Sequence, residues 1–134
     1  MFSKVVLWGT GIGFIGYGLV SFFDPQIATT ASGLGLTNGD SWVEAAAIFG
    51  GLHAGLGLFC LIAALRPQYQ RAGLLAIICA VGSLAGARGI AFALASDPVT
   101  QYTYQVLGGE TLMAVLAAVA FFRTDAEPSE LSAD

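Results

Sequence analysis

Four apolar stretches, residues 5–23, 45–65, 72–95 and 105–122, dominate this chain. Each is close to the roughly 20 residues that a helix needs to cross about 30 Å of hydrocarbon, at about 1.5 Å per residue. A backbone in lipid must satisfy its own hydrogen bonds, so such segments are helices or strands of a closed barrel. None shows the apolar/polar alternation of barrel strands. The expectation is an all-α fold: an integral membrane up-down-up-down four-helix bundle, with helices at about 5–23, 42–65, 72–95 and 104–122.

Composition agrees. The chain is 56% hydrophobic and 10% charged, where roughly a quarter of residues in soluble domains are charged. Residues 1–123 read as a single transmembrane domain. The net charge of −4 does not describe a face of that domain, because Asp125, Glu127, Glu130 and Asp134 all fall in the last ten residues. Residues 124–134 are expected to be an acidic, disordered cytoplasmic tail. The first apolar run is too long for a secretory signal core, so it counts as helix one.

Orientation follows from the basic residues. Lys4, Arg66, Arg71 and Arg123 flank one side, whereas residues 24–40 and 96–103 on the other contain no Lys or Arg. The positive-inside rule makes both termini cytoplasmic (N-in/C-in). Trp8, Tyr69, Phe121 and Phe122 near the inner interface, and Phe22, Phe23, Trp42, Tyr102 and Tyr104 near the outer one, give the same topology. The long connection 24–40 opens with Asp24-Pro25, ends with Asn38-Gly39-Asp40, and reads as a short interfacial element over the bundle mouth.

Glycines suggest where helices touch. Gly9/Gly13, Gly51/Gly55 and Gly82/Gly86 each form GxxxG, a spacing that lets helix backbones approach in lipid. Gly11 to Gly16 matches a dinucleotide fingerprint, but without a preceding strand or a βαβ unit it carries no cofactor expectation. Cys60 and Cys79 read as core residues.

Ionisable side chains inside apolar segments are costly, so each is a candidate functional residue. Arg88 lies roughly 7 Å, and Glu110 roughly 4–5 Å, from the midpoint of its helix, both toward the outer side. Matching depths allow a buried ion pair. One reading makes the pair a pin that fixes the register of helices three and four. The other has Arg88 anchoring an anionic or carbonyl-bearing ligand while Glu110 serves as acid or base.

Glu44 reads first as the last member of a capping box, Ser41-Trp42-Val43-Glu44, and second as the rim of an outward-opening cavity. His53, near the middle of helix two, lacks a second His or Cys at metal spacing and reads as a hydrogen-bonded core residue. A 100° wheel sets it about 180° from Glu44, so a straight helix cannot point both into one narrow site. The candidate ligand-binding set is Arg88, Glu110, Glu44 and His53. No catalytic residue is assigned beyond the candidate Glu110, and no metal site, cofactor or nucleic-acid stripe is indicated.

The segment Gly50-Gly51-Leu52-His53-Ala54-Gly55-Leu56-Gly57-Leu58-Phe59, with Leu65-Arg66-Pro67, Arg71 to Leu75, Gly86-Ala87-Arg88-Gly89 and Gly109-Glu110-Thr111-Leu112, resembles a bacterial family of small four-helix membrane proteins. That family is the domain-of-unknown-function family 4345. The resemblance covers most of helices two to four and implies a glutamate, an arginine and a glutamate at Glu44, Arg88 and Glu110. The family often also has an arginine two residues after the first glutamate, where this chain has Ala46. It implies a bacterial inner-membrane location but no activity.

The leading expectation is a small inner-membrane protein that binds a lipophilic molecule or accompanies a larger membrane complex, with the bilayer, such a molecule, and a membrane partner or further copies of itself as partners. The alternatives are a small membrane isomerase or cyclase using Glu110 on a lipophilic substrate, and a homo-oligomeric conduit.

Overall fold

The computed structural model describes residues 1–125, and those residues form five helices and no strand. The acidic tail expected from residue 124 falls, from 126 on, outside the described residues. Four helices are long and apolar enough to cross a membrane: α1 (Phe2–Phe23), α3 (Gly39–Leu65), α4 (Gln70–Leu94, entered by a 3₁₀ turn at Pro67–Tyr69) and α5 (Gln101–Asp125). The expected helix limits lie within about three residues of these, a normal uncertainty for helix ends.

The fifth helix, α2 (Pro25–Ser32), occupies the long connection. Asp24 ends α1 by donating its N–H to Val20 O, and its carboxylate accepts from Gln26 N at 3.2 Å. Pro25 follows at the first helical position, where its missing N–H costs nothing. One residue thus closes a helix and caps the next. Gly33, at φ 75°, ends α2 in the left-handed conformation, with Leu34 N bonded to Thr29 O and Gly33 N to Thr30 O. This is a Schellman ending.

The start of α3 departs from expectation. Asn38, not Ser41, is the N-cap: its side chain accepts from Ser41 N at 2.9 Å, and Ser41 Oγ accepts from Asn38 N at 3.0 Å. Ser41 is therefore the third residue of the first turn, and Glu44 takes no part in the cap. The Asn side chain competes better for this position because its carbonyl reaches the free N–H groups while its own backbone stays extended. Farther along, residues Ala46–Leu52 of α3 form a π-helix, and regular α-helix resumes at His53.

Helix α1 packs most extensively on α3, and α4 on α5. The α1–α3 contact is built on glycines two turns apart. A Cβ added to Gly18 would lie 2.8 Å from Gly50 O, one added to Gly57 would lie 2.8 Å from Gly11 O, and one added to Gly50 would lie 2.7 Å from Phe22 Cα. Backbone meets backbone here, and the order of contacts makes the two helices antiparallel. The GxxxG pairs do not serve this purpose. A Cβ on Gly9, Gly13, Gly51, Gly55 or Gly86 would meet nothing within 4 Å, and Gly82 is in ordinary contact with Ala114. The seven-residue pairs Gly11/Gly18 and Gly50/Gly57 hold one face through two turns, while the four-residue pairs fall on other faces.

The buried core occupies one end of the bundle: Leu7 from α1, Cys60 and Ala63 from α3, Leu74, Ile77 and Val81 from α4, Ala117 and Ala120 from α5. Gly73 admits Ala63 and Leu7 against the α4 backbone. Cys60 belongs to this core, but Cys79 is exposed on the outer face of α4. At the same end Ser3 Oγ lies 3.0 Å from Thr124 Oγ1, the Arg71 guanidinium lies 4.7 Å from the Phe121 ring and that of Arg123 lies 5.6 Å from the Phe2 ring. Outside the core, large apolar side chains such as Ile12, Leu52, Ile90, Leu94, Leu112 and Phe122 are exposed.

Replacing Gly57 by Ala forces a methyl group into the α1 backbone and should cost about 1–3 kcal/mol. Gly13→Ala should be neutral or stabilise slightly, by up to about 1 kcal/mol from helix propensity. Unfolding of the purified variants in mixed micelles measures both, and equal losses would remove the two-turn glycine contact as the basis of the α1–α3 interface.

Candidate functional site

Arg88 on α4 and Glu110 on α5 meet side by side. Arg88 Nε donates to Glu110 Oε2 at 3.0 Å and Nη2 donates to Oε1 at 2.9 Å. This is the two-pronged geometry that suits a guanidinium to a carboxylate. The register that brings them together runs along the whole α4–α5 interface, with Phe92 against Tyr104 at one end and Gly82 beside Ala114 farther in. The pair is not enclosed, however: its side chains are 30% and 15% exposed. It sits at a partly open face instead of the fully buried position expected, because the tight core lies at the other end of the bundle.

A guanidinium carries five N–H donors, and Glu110 takes two. No other hydrogen bond to Arg88 exists among the described residues, so three donors remain for water or another acceptor. The phenols of Tyr17 on α1 and Tyr102 on α5 lie within electrostatic reach of the same guanidinium. Each oxygen of Glu110 accepts one hydrogen bond from Arg88, which holds the carboxylate in place and leaves a second acceptor site on each oxygen.

His53 and Glu44 do not join this pair. His53 stands between α1 and α3, its ring 5.0 Å from that of Tyr17 and 5.4 Å from that of Phe14. Its Nδ1 lies 3.0 Å from Ile48 O. A carbonyl only accepts, so this bond places the ring proton on Nδ1. Glu44 is exposed, with no hydrogen bond among the described residues. The π-helical stretch lies between the two, so the 100° wheel does not give their relative angle. Of the four candidates, only Arg88 and Glu110 are brought together.

A cavity lies elsewhere. A groove of about 300 Å³ runs between α1 and α5, walled by Val5, Gly9 and Thr10 on one side and Gly109, Leu112 and Met113 on the other. Its lining is almost wholly apolar, and its size is at the lower end for small-molecule pockets. Next to it is a polar recess of about 210 Å³ lined by Ser3, Gln70, Arg123 and Thr124, and Phe2 borders both. Sequence reasoning missed the groove because no single residue marks it. Its outline depends on which faces of α1 and α5 fail to meet, although the small residues Gly9 and Gly109 flag where a wall is thin. Among the described residues no three His, Cys, Asp or Glu side chains cluster in a way that could hold a metal ion.

Comparison with family models, curated proteins and solved structures returns no match. The functional reading therefore stands on geometry.

Glu110→Gln leaves a guanidinium without its counter-charge and should destabilise the protein by about 1.5–3 kcal/mol, the range for hydrogen bonds to charged groups. The double replacement Arg88→Met, Glu110→Leu should recover much of that loss, since an apolar pair removes the stranded charge. Denaturation of the two variants beside the parent decides it. A double variant as unstable as Glu110→Gln would mean that the pair does more than balance charge.

Proposed function

We propose that this chain is a bacterial inner-membrane protein, an up-down-up-down bundle with both termini cytoplasmic, that holds a lipophilic molecule in the groove between α1 and α5. Four long apolar helices with outward-facing Ile, Leu and Phe side chains support the membrane setting. Lys4, Arg71 and Arg123 gather at one end of the bundle, which supports a cytoplasmic assignment for that end.

The observation that carries the binding reading is the groove itself, apolar, partly enclosed and lined by residues of two helices that touch only sparsely. In this reading Arg88–Glu110 is the pin between α4 and α5. Membership of the family that the sequence resembles is part of the same proposal.

A leucine at Gly9 tests it. Gly9 lines the groove and an added Cβ there meets nothing within 4 Å, so the backbone admits a side chain at this position. Native mass spectrometry after gentle extraction should show a co-purifying lipophilic mass in the parent and in Gly13→Leu, a control on the same helix, and its loss in Gly9→Leu. Equal retention by all three would overturn the groove as the binding site.

A further inference from the structure

The groove and the polar recess beside it together have the shape of an amphiphile. We propose that they form a binding site for one anionic phospholipid of the cytoplasmic leaflet, with an acyl chain in the groove and the phosphate in the recess. This rests on the groove reading above and names its occupant.

The depth fits a single leaflet. From Phe2 to Thr10 the α1 wall of the groove extends about 12 Å at 1.5 Å per residue, less than half of the roughly 30 Å hydrocarbon thickness. It starts at the end of the bundle that carries Lys4, Arg71 and Arg123, the end assigned to the cytoplasm. Anionic lipids of that leaflet are the ones a basic site meets.

The recess has the chemistry of a phosphate site. Arg123 lines it, with its guanidinium 5.6 Å from the Phe2 ring, and Phe2 is the boundary between recess and groove. The cation therefore stands where the head group of a chain in the groove would emerge. Arg123 makes no hydrogen bond or ion pair to any described residue, so its donors are open to the two free oxygens of a phosphodiester. Gln70 supplies a second donor: its Nε2 is buried and has no hydrogen-bond partner. An unpaired buried amide destabilises the fold until an acceptor arrives. Ser3 and Thr124, bonded to each other at 3.0 Å, complete a polar lining that, among the described residues, contains no carboxylate. A free anion would fill the recess alone and a neutral lipid the groove alone, whereas an anionic phospholipid fills both.

The test offers delipidated full-length protein equal amounts of phosphatidylglycerol and phosphatidylcholine with identical chains, and reads the bound lipid by native mass spectrometry. The parent should prefer phosphatidylglycerol by about fivefold or more, the factor for one basic residue at a membrane surface. Arg123→Gln should bind the two lipids about equally, with circular dichroism unchanged. Lys4→Gln, which removes an equal charge from an exposed position, should keep the preference.

Gly9→Leu should lose both lipids. If it does, yet Arg123→Gln and Lys4→Gln shift the preference equally or not at all, the groove stands and the phosphate site is overturned. Retention of both lipids by Gly9→Leu overturns the groove itself. A lipid-free dimer that Gly9→Leu converts to monomer would put a second copy of the chain in the groove and overturn the proposal.

Discussion

The contact of the α1 and α3 backbones through Gly11, Gly18, Gly50 and Gly57 determines where the other elements can go. Four of the helices are long and apolar enough to cross a membrane, and between helices of that kind association depends on close packing and on hydrogen bonds, because lipid tails are as apolar as leucine. Bare backbone against bare backbone gives the closest packing available. Once α1 is drawn that far onto α3, it cannot also press along its whole length on α5. The sparse α1–α5 contact leaves the groove, and the ends of the same two helices frame the polar recess.

The two halves of the bundle are held by different forces. Toward the end that carries the basic residues, Leu7, Cys60, Leu74, Ile77, Val81, Ala117 and Ala120 form a dense apolar core closed by Ser3, Thr124 and the Arg71–Phe121 contact. Toward the other end α4 and α5 are joined by the charged fork of Arg88 and Glu110, with the phenols of Tyr17 and Tyr102 within electrostatic reach of the guanidinium. A charge pair tolerates partial exposure better than an apolar core tolerates gaps. This explains why the open part of the bundle uses one.

Much of this was legible in the residues. Segment length and apolarity alone place the four long helices, and helical rise alone brings Arg88 and Glu110 to the same depth. Less was legible where several residues compete for one role. Eighteen glycines offer many small-residue spacings, and only the three-dimensional interface distinguishes Gly11/Gly18 from Gly9/Gly13. Asn38 and Ser41 both suit a helix N-cap, and the carbonyl side chain took the position, removing Glu44 from the cap. Grooves are harder still, since they are defined by contacts that do not form.

The π-helical stretch Ala46–Leu52 has a consequence for the two parts of α3 that flank it. In a continuous α-helix one inserted residue turns everything beyond it by about 100°, which would swing an exposed apolar surface inward. A wide turn with i→i+5 bonding absorbs the extra residue locally, and Ile48 O, tied to the His53 ring, marks where that slack is taken up. The wide turn thus sets the angle between the first turns of α3, which carry the Asn38 cap, and its later turns, which carry Gly57 and Cys60. Each surface thereby keeps its own partners: Asn38 and Ser41 cap one another at the start of α3, and Gly57 stays against the α1 backbone.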